Sequence, residues 1–132
     1  MSEVTEVAVA VDHELRTLSF KVHGPIDSAR LTDLIIAAYQ EHQSHWTYRR
    51  LFDYRRASGL YDFAEVERLL SWWRDATRDV AICHHVAVLS GDVLFDFRAR
   101  VFDDRYAQGE IRSFKVMREA MDWLDRVAPV QP

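Results

Sequence analysis

The spacing of apolar residues changes several times along this chain, and the order of those changes restricts its fold more than any other feature. Residues 7–11 (VAVAV) alternate between larger and smaller side chains, which predicts a strand with one buried face. Residues 18–22 (LSFKV) repeat the alternation after a short polar turn. Two strands separated by so short a turn can pair only as an antiparallel hairpin.

Helical spacing then alternates with short apolar runs. Asp27 is the predicted N-cap of a first helix, whose buried stripe includes Leu31 and Ile35. Residues 50–54 form a short third strand, and a polar loop is expected to follow it. Asp62 and Glu65 stand in the register of a capping box, which predicts that a second helix begins near Asp62.

The second half of the chain continues this alternation. Residues 85–89 (HVAVL) are continuously apolar, as in a central strand covered on both faces. A third helix is predicted from Ser90 to about Tyr106, with Gly109 as its stop signal. Residues 111–116 form the last strand, and a final helix follows. The order ββαβαβαβα predicts an α/β fold, with a mixed, largely parallel sheet opened by an antiparallel hairpin.

Size and charge limit the functions open to this chain. Its 132 residues are expected to form a single domain, residues 1–132, and the net charge of −4 disfavours nucleic acid as a partner. One cysteine fits a reducing compartment. The N-terminal residues do not read as a signal peptide, and no apolar run is long enough for a transmembrane segment. We therefore expect a cytoplasmic location.

Motifs for catalysis and for metal or cofactor binding do not emerge from the sequence. Cys83, His84 and His85 are adjacent, and adjacent residues in an extended segment point in alternating directions. They therefore make a poor metal site, and His84 is poorly placed as a base for Cys83. The sequence has no glycine-rich phosphate-binding loop and no G-x-S-x-G elbow. We expect no catalytic residues, no metal and no cofactor.

Three short motifs resemble those of one protein family. The opening hairpin ends in VHGPID at residues 22–27, and the third strand ends in the triplet Asp53-Tyr54-Arg55. Residues 114–124 read FKVMREAMDWL, a last strand followed by a helix with an Ala-hydrophobic-x-Trp-Leu pattern. In this order the motifs resemble the SpoIIAA-like family, relatives of the STAS domain of anti-sigma-factor antagonists. The resemblance covers most of the chain, from about Val7 to Val127.

The resemblance implies both a fold and two possible functions. It implies a small α/β domain without catalytic machinery, acting as a regulatory or binding module that mediates protein–protein interaction. Classical members are switched by phosphorylation of a serine at the start of the helix after the third strand. The same superfamily fold includes CRAL-TRIO lipid-binding domains, so binding of a small apolar or lipid-like ligand is the alternative.

Four residues are the candidates for binding. Ser58 begins a Ser-Gly-Leu triplet similar to the one beside the switch serine, but it precedes the predicted helix by about one turn. It is interpreted as a turn residue, and a phosphorylation switch is the alternative. Asp62 would place a permanent carboxylate at the helix start. Trp72 lies about 100° around the helix from the buried Trp73, either covering a helix edge or facing a partner or ligand. Arg55 could hold an anionic group.

Two further expectations concern surfaces. Arg49, Arg50 and Arg56 also surround the third strand, and arginines in an acidic protein are more often solvated than engaged with an anion. An edge strand or an aromatic helix face left exposed on so small a domain is commonly covered by a second copy, so a homodimer is possible.

Overall fold

The computed structural model describes residues 4–90 and 111–130, which form a sheet flanked by helices. Its elements are β1 (Glu6–Asp12), β2 (Thr17–Pro25), α1 (Ser28–Glu41), a 3-10 turn (Gln43–His45), β3 (Arg49–Ser58), α2 (Phe63–Ala76), β4 (Val86–Leu89), β5 (Ile111–Phe114) and α3 (Met117–Val127). Apart from Ser90, the helix predicted from Ser90 to Tyr106, with its stop signal at Gly109, lies outside the described residues.

The five strands lie in the sheet in their sequence order, from β1 to β5. β1 pairs with β2 in the antiparallel direction, and each later pair is parallel. The hairpin aligns Val9 with Phe20. These pairings confirm the predicted α/β class, with its mixed, largely parallel sheet opened by an antiparallel hairpin.

Helices α1 and α2 cover one face of the sheet, where aromatic rings fill the core. The rings of Phe20 and Phe52 stack with their centroids 4.4 Å apart. The ring centroids of Tyr39 in α1 and Trp73 in α2 are also 4.4 Å apart. The Asp27 carboxylate accepts a hydrogen bond from the Arg30 N–H at 3.2 Å, as its predicted N-cap role requires. Asp27 therefore caps the start of α1, and the apolar stripe of α1 packs against the sheet.

Helix α3 covers the other face, over the strands in the second half of the sheet. Ala120, Trp123 and Leu124 are buried against Leu51, Ala87 and Leu89. Because consecutive strand residues point to opposite faces, Leu51 meets α3 while its neighbour Phe52 meets α1. Ala8 and Ala10 of β1 remain exposed on the face that α3 covers elsewhere.

The expectation that Arg49 and Arg50 are solvated is wrong, because both side chains are buried at the start of β3, 3% and 5% exposed. Arg49 points toward α3, where it donates to the Asp125 carboxylate at 2.6 Å. Arg50 points toward α1 and donates to the Tyr39 hydroxyl at 2.9 Å. These two adjacent arginines therefore tie the same end of the sheet to helices on opposite faces.

Candidate functional site

The corner between β3 and α2 is formed by residues 58–62, which we call the β3–α2 corner. β3 continues four residues beyond its predicted end and includes Arg55 to Ser58, so the prediction that these residues form a loop is wrong. Pairing with the end of β2, where Pro25 lies opposite Ser58, keeps this polar segment extended. Gly59 then turns the chain with φ of +93°, a conformation that glycine adopts without strain.

The start of α1 holds this corner in place. The Ile26 N–H donates to the Ser58 carbonyl at 2.9 Å. The Asp62 N–H donates to the Ser28 hydroxyl at 2.8 Å, and that hydroxyl in turn donates to the Leu60 carbonyl at 3.4 Å. These bonds join segments about thirty residues apart in sequence, so the corner has a fixed backbone shape.

The predicted capping box at Asp62 and Glu65 does not form. Asp62 is the N-cap residue of α2, but its carboxylate makes no capping hydrogen bond. The Glu65 carboxylate accepts from Arg68 at 2.8 Å instead of reaching back to the Asp62 N–H. The Ser28 hydroxyl already takes that N–H, and the Glu65 N–H donates to the Asp62 carbonyl at 3.0 Å instead of to the Asp62 carboxylate. The Asp62 side chain is consequently exposed at the start of α2, where its charge favours the helix dipole.

A buried tyrosine supports the corner from beneath. The Tyr61 hydroxyl lies 2.7 Å from the Thr32 hydroxyl of α1, and both residues are nearly inaccessible to solvent. Burial raises the pKa of Tyr61 far above its usual value, although the Thr32 hydrogen bond acts in the opposite direction. The phenol therefore stays neutral and anchors the corner, and it is unsuited to acid–base chemistry near neutral pH.

The upper surface of the corner is open to solvent. Leu60 is 45% exposed although it is a large apolar side chain, and Ser58 and Asp62 beside it in sequence are exposed as well. The exposed leucine is therefore flanked by a hydroxyl and a carboxylate, on a backbone that Ser28 holds by hydrogen bonds. Sequence reasoning missed Leu60 because a single exposed leucine carries no signal in the spacing of apolar residues.

Arg55 does not belong to the corner surface. It forms a pair with Asp53, two residues earlier on the same strand face. The Arg55 guanidinium donates to both carboxylate oxygens, with distances of 3.0 Å from Nε and 2.9 Å from a terminal nitrogen. The Arg55 N–H donates to the same carboxylate at 3.0 Å. This two-pronged pair occupies the guanidinium edge that would otherwise hold an anion.

The Asp53–Arg55 pair gives stability that depends on pH. Partial burial acts to raise the pKa of Asp53, but hydrogen bonds from Arg55 and the charges of Arg55 and Lys21 together lower it below its usual value. A lowered folded-state pKa stabilises the protein above the unfolded pKa of about 4, and this contribution is lost as pH falls through the folded-state pKa.

We therefore expect Arg55→Met to lower the free energy of unfolding at pH 7 by about 0.5–1 kcal/mol, a modest value because the arginine is partly exposed. The difference between wild type and variant should shrink as the pH falls from 7 to about 3, below the unfolded pKa of about 4, because the carboxylate begins to take up a proton. Urea unfolding at both pH values measures it, and an equal difference at both would rule out the ionic contribution. Arg56→Met, at an exposed neighbouring position, is the control.

Trp72 lies far from the other predicted residues. It follows Asp62 by ten positions in α2, which corresponds to about 15 Å along a helix. Its ring lies 5.9 Å from Tyr39 and 6.2 Å edge-on to Trp46, and the side chain is half-buried. The structure thus favours the interpretation in which Trp72 covers a helix edge. Of the four predicted residues, it brings only Ser58 and Asp62 together.

A polar aromatic cluster lies at the opposite end of the sheet. The His13 ring nitrogen Nδ1 lies 2.9 Å from the Tyr48 hydroxyl, and the His13 and His45 rings are 5.2 Å apart. Within residues 4–90 and 111–130, no group of three histidine, cysteine or acidic side chains is arranged to hold a metal ion. His85 packs edge-on against Trp123 at 5.8 Å. The cluster therefore adds no metal site to the described part of the chain.

Comparison with known proteins supports the fold and identifies no function. No protein-family model matches the sequence, and no curated protein matches it. A crystal structure of an uncharacterized protein of the DUF3478 family from Shewanella loihica PV-4, with a SpoIIAA-like fold, matches with a TM-score of 0.58. The match covers 94% of this chain and 98% of that protein. This chain has a SpoIIAA-like fold.

The likeness to this SpoIIAA-like structure is a likeness of fold, since the two sequences are 21% identical. It confirms the SpoIIAA-like fold that three motifs taken together implied, namely VHGPID, Asp53-Tyr54-Arg55 and FKVMREAMDWL. No helix among the described residues is both long enough and apolar enough to cross a membrane.

Proposed function

We propose that this chain is a non-catalytic, STAS-like regulatory module that binds a protein partner through its β3–α2 corner. The observation that carries the proposal is the exposed Leu60 on a corner whose backbone is held by Ser28. A rigid apolar contact loses little conformational entropy on binding, and this favours recognition by a surface rather than by a flexible tail. Ser58 and Asp62 would supply the polar rim of that surface. We place the module in the cytoplasm, in keeping with its single cysteine.

The regulatory part of the proposal concerns Ser58. Its side chain is exposed at the end of β3 and close in sequence to the start of α2, so a kinase could reach it. A phosphate there would add about two negative charges beside the Asp62 carboxylate. Such a change would weaken binding to an acidic partner surface or strengthen binding to a basic one. Ser58→Asp and Ser58→Ala therefore form a matched pair for testing regulation.

The binding proposal predicts that Leu60→Asp weakens capture of the partner by tenfold or more, because a buried carboxylate would replace an apolar contact. Pull-down from cells that produce the protein naturally, quantified against wild type, measures this loss. Val80→Asp is the matched control, since Val80 is similarly exposed but lies beyond the far end of α2. Equal capture by wild type and Leu60→Asp would exclude the corner as the binding surface.

Binding of a small apolar ligand is the alternative function. A groove of about 420 Å³ lies beside β1, lined by Val7 and Leu34 together with the polar side chains of Glu6, His23 and Arg30. It lies at the edge of the sheet, whereas stacked aromatic rings fill the space between the sheet and helices α1 and α2. This arrangement gives the ligand hypothesis less support than the corner gives the partner hypothesis.

Native mass spectrometry of the purified protein, followed by organic extraction, separates the two functions. An added mass released by solvent would favour the ligand hypothesis and identify the compound. A mass equal to that of the bare chain would favour the partner hypothesis. A variant with Leu34→Trp, which narrows the groove, provides the control for where an added mass is bound.

A further inference from the structure

The outer edge of β1 is the feature that the proposed function leaves unexplained. Among the described residues, β1 ends the strand order, so nothing there pairs with its outer edge. Its central residues, 7–11, are valines and alanines, without the lysine, proline or bulge that commonly protects an edge strand. We propose that a second copy of this chain pairs with this edge, so that two β1 strands run antiparallel across a two-fold axis and join the sheets.

The side chains restrict how the two strands align. Residues on the same sheet face must lie opposite each other, so the two-fold axis passes beside Ala8, Val9 or Ala10. An axis at Val9 would set Glu6 of each copy opposite Asp12 of the other, and facing acids are destabilising. An axis at Ala10 would pair only residues 8–12 and would set Val7, which lines the groove, opposite His13 of the hairpin turn. An axis at Ala8 avoids both problems and pairs the strand over its first half.

The groove beside β1 supports the axis at Ala8. With that alignment, Val9 of one copy lies opposite Val7 of the other, on the sheet face that carries α1. The groove is lined by Val7 and Leu34. Val9 of the second copy would therefore add apolar contact at this groove. The small, exposed side chains of Ala8 leave the opposite face free of steric conflict at the axis.

Charges on α1 are complementary in the same arrangement. Arg30 and Leu34 line the groove near the start of α1, and Glu41 lies seven residues after Leu34 and thus on the same helical face. The two-fold axis makes the two α1 helices antiparallel. Arg30 near the start of one helix consequently approaches Glu41 at the end of the other, and these opposite charges favour pairing between copies over pairing with an unrelated edge strand.

Sedimentation equilibrium of the full chain, from about 1 to 300 µM, tests the proposal. The wild type should be a dimer in the upper part of this range. Ala8→Lys should weaken dimerisation by tenfold or more, because the two lysines would face each other at the axis. Ala8→Glu should weaken it similarly, whereas an equimolar mixture of the two variants should dimerise again because lysine then faces glutamate.

Ala10→Lys is the matched control, because it adds the same charge on the same exposed strand face. The axis at Ala8 places position 10 opposite Glu6 of the second copy, so Ala10→Lys should dimerise at least as tightly as wild type. A wild-type monomer at 300 µM would overturn the proposal. So would a dimer that Ala10→Lys disrupts while Ala8→Lys leaves intact. Circular dichroism verifies that each variant is folded. Dimerisation measured by sedimentation depends on neither Leu60 nor a partner protein, so this proposal can fail independently of the proposed function.

Discussion

Replacing Arg50 with alanine should lower the free energy of unfolding by about 3 kcal/mol, a large fraction of the stability of a small domain. The Arg50 guanidinium donates to the Tyr39 hydroxyl and to the Cys83 carbonyl, each at 2.9 Å. Its central carbon lies 4.3 Å from the centre of the Trp73 ring. The substitution would remove a cation–π contact, leave a cavity and leave two buried oxygens without their donor.

The charge of Arg50 acts against this stabilisation. No carboxylate of the described residues lies within salt-bridge distance of it, and its Nε atom has no hydrogen-bond partner. Burial raises the pKa of Tyr39, although Arg50 acts to lower it, so the phenol that faces the guanidinium is neutral at pH 7. Because removing a buried charge recovers part of its desolvation cost, the net loss is smaller than for breaking a buried ion pair.

Two further variants separate these contributions. Arg50→Met fills most of the volume without charge and should cost about 1–2 kcal/mol, mainly for the orphaned hydroxyl and carbonyl. Adding Tyr39→Phe removes the orphaned hydroxyl and should recover about 1 kcal/mol. Urea unfolding measures all of these values. A change below about 0.5 kcal/mol for Arg50→Ala would mean that the guanidinium is solvated rather than buried.

Trp73→Ala should lower the free energy of unfolding by about 3–5 kcal/mol, the range expected for a buried tryptophan. Trp73 is 9% exposed and lies at the centre of the α1–α2 contact, 5.0 Å edge-on to Trp46 and directly against Arg50. The neighbouring Trp72 is a matched control of the same residue type on the same helix. It is half-buried, so Trp72→Ala should cost only about 1–2 kcal/mol.

The two tryptophan variants should also differ in whether their effects on stability add to that of Arg50→Ala. Trp73→Ala removes the surface against which Arg50 rests, so its effect and that of Arg50→Ala should not be additive. The Trp72 ring instead packs beside Tyr39, Trp46 and Trp73, so its effect and that of Arg50→Ala should be closer to additive. Equal losses from the two single variants would show that Trp72 is as deeply packed as Trp73.

The fold could be predicted from the sequence wherever the residues of one strand or one helix determine the spacing of apolar side chains. The alternation in residues 7–11 and 18–22 predicted the hairpin, and Asp27 is the N-cap of the first helix as expected. The end of β3 was missed because Arg56 and Ala57 look like loop residues, and only pairing with β2 keeps them extended. Long-range pairing of this kind leaves no mark in local spacing.

The candidate site was harder to predict because distant residues determine it. The capping box failed because Ser28, thirty-four residues before Asp62, takes the N–H on which the motif depends. The burial of Arg49 and Arg50 was missed because arginine is rarely buried, so residue type alone predicted exposure. A run of two arginines directly before the apolar residues 51–52 is the signal that could have suggested an inward-facing pair.

The most direct test of the proposed function is site-specific photo-crosslinking in cells that produce the protein naturally. A photoreactive amino acid at position 60 should crosslink the chain to one protein partner, whereas the same group at position 80 should not. Mass spectrometry of the crosslinked species identifies the partner and the contact. Crosslinks to the same partner from both positions, or to none from position 60, would contradict the assignment of the β3–α2 corner as the binding surface.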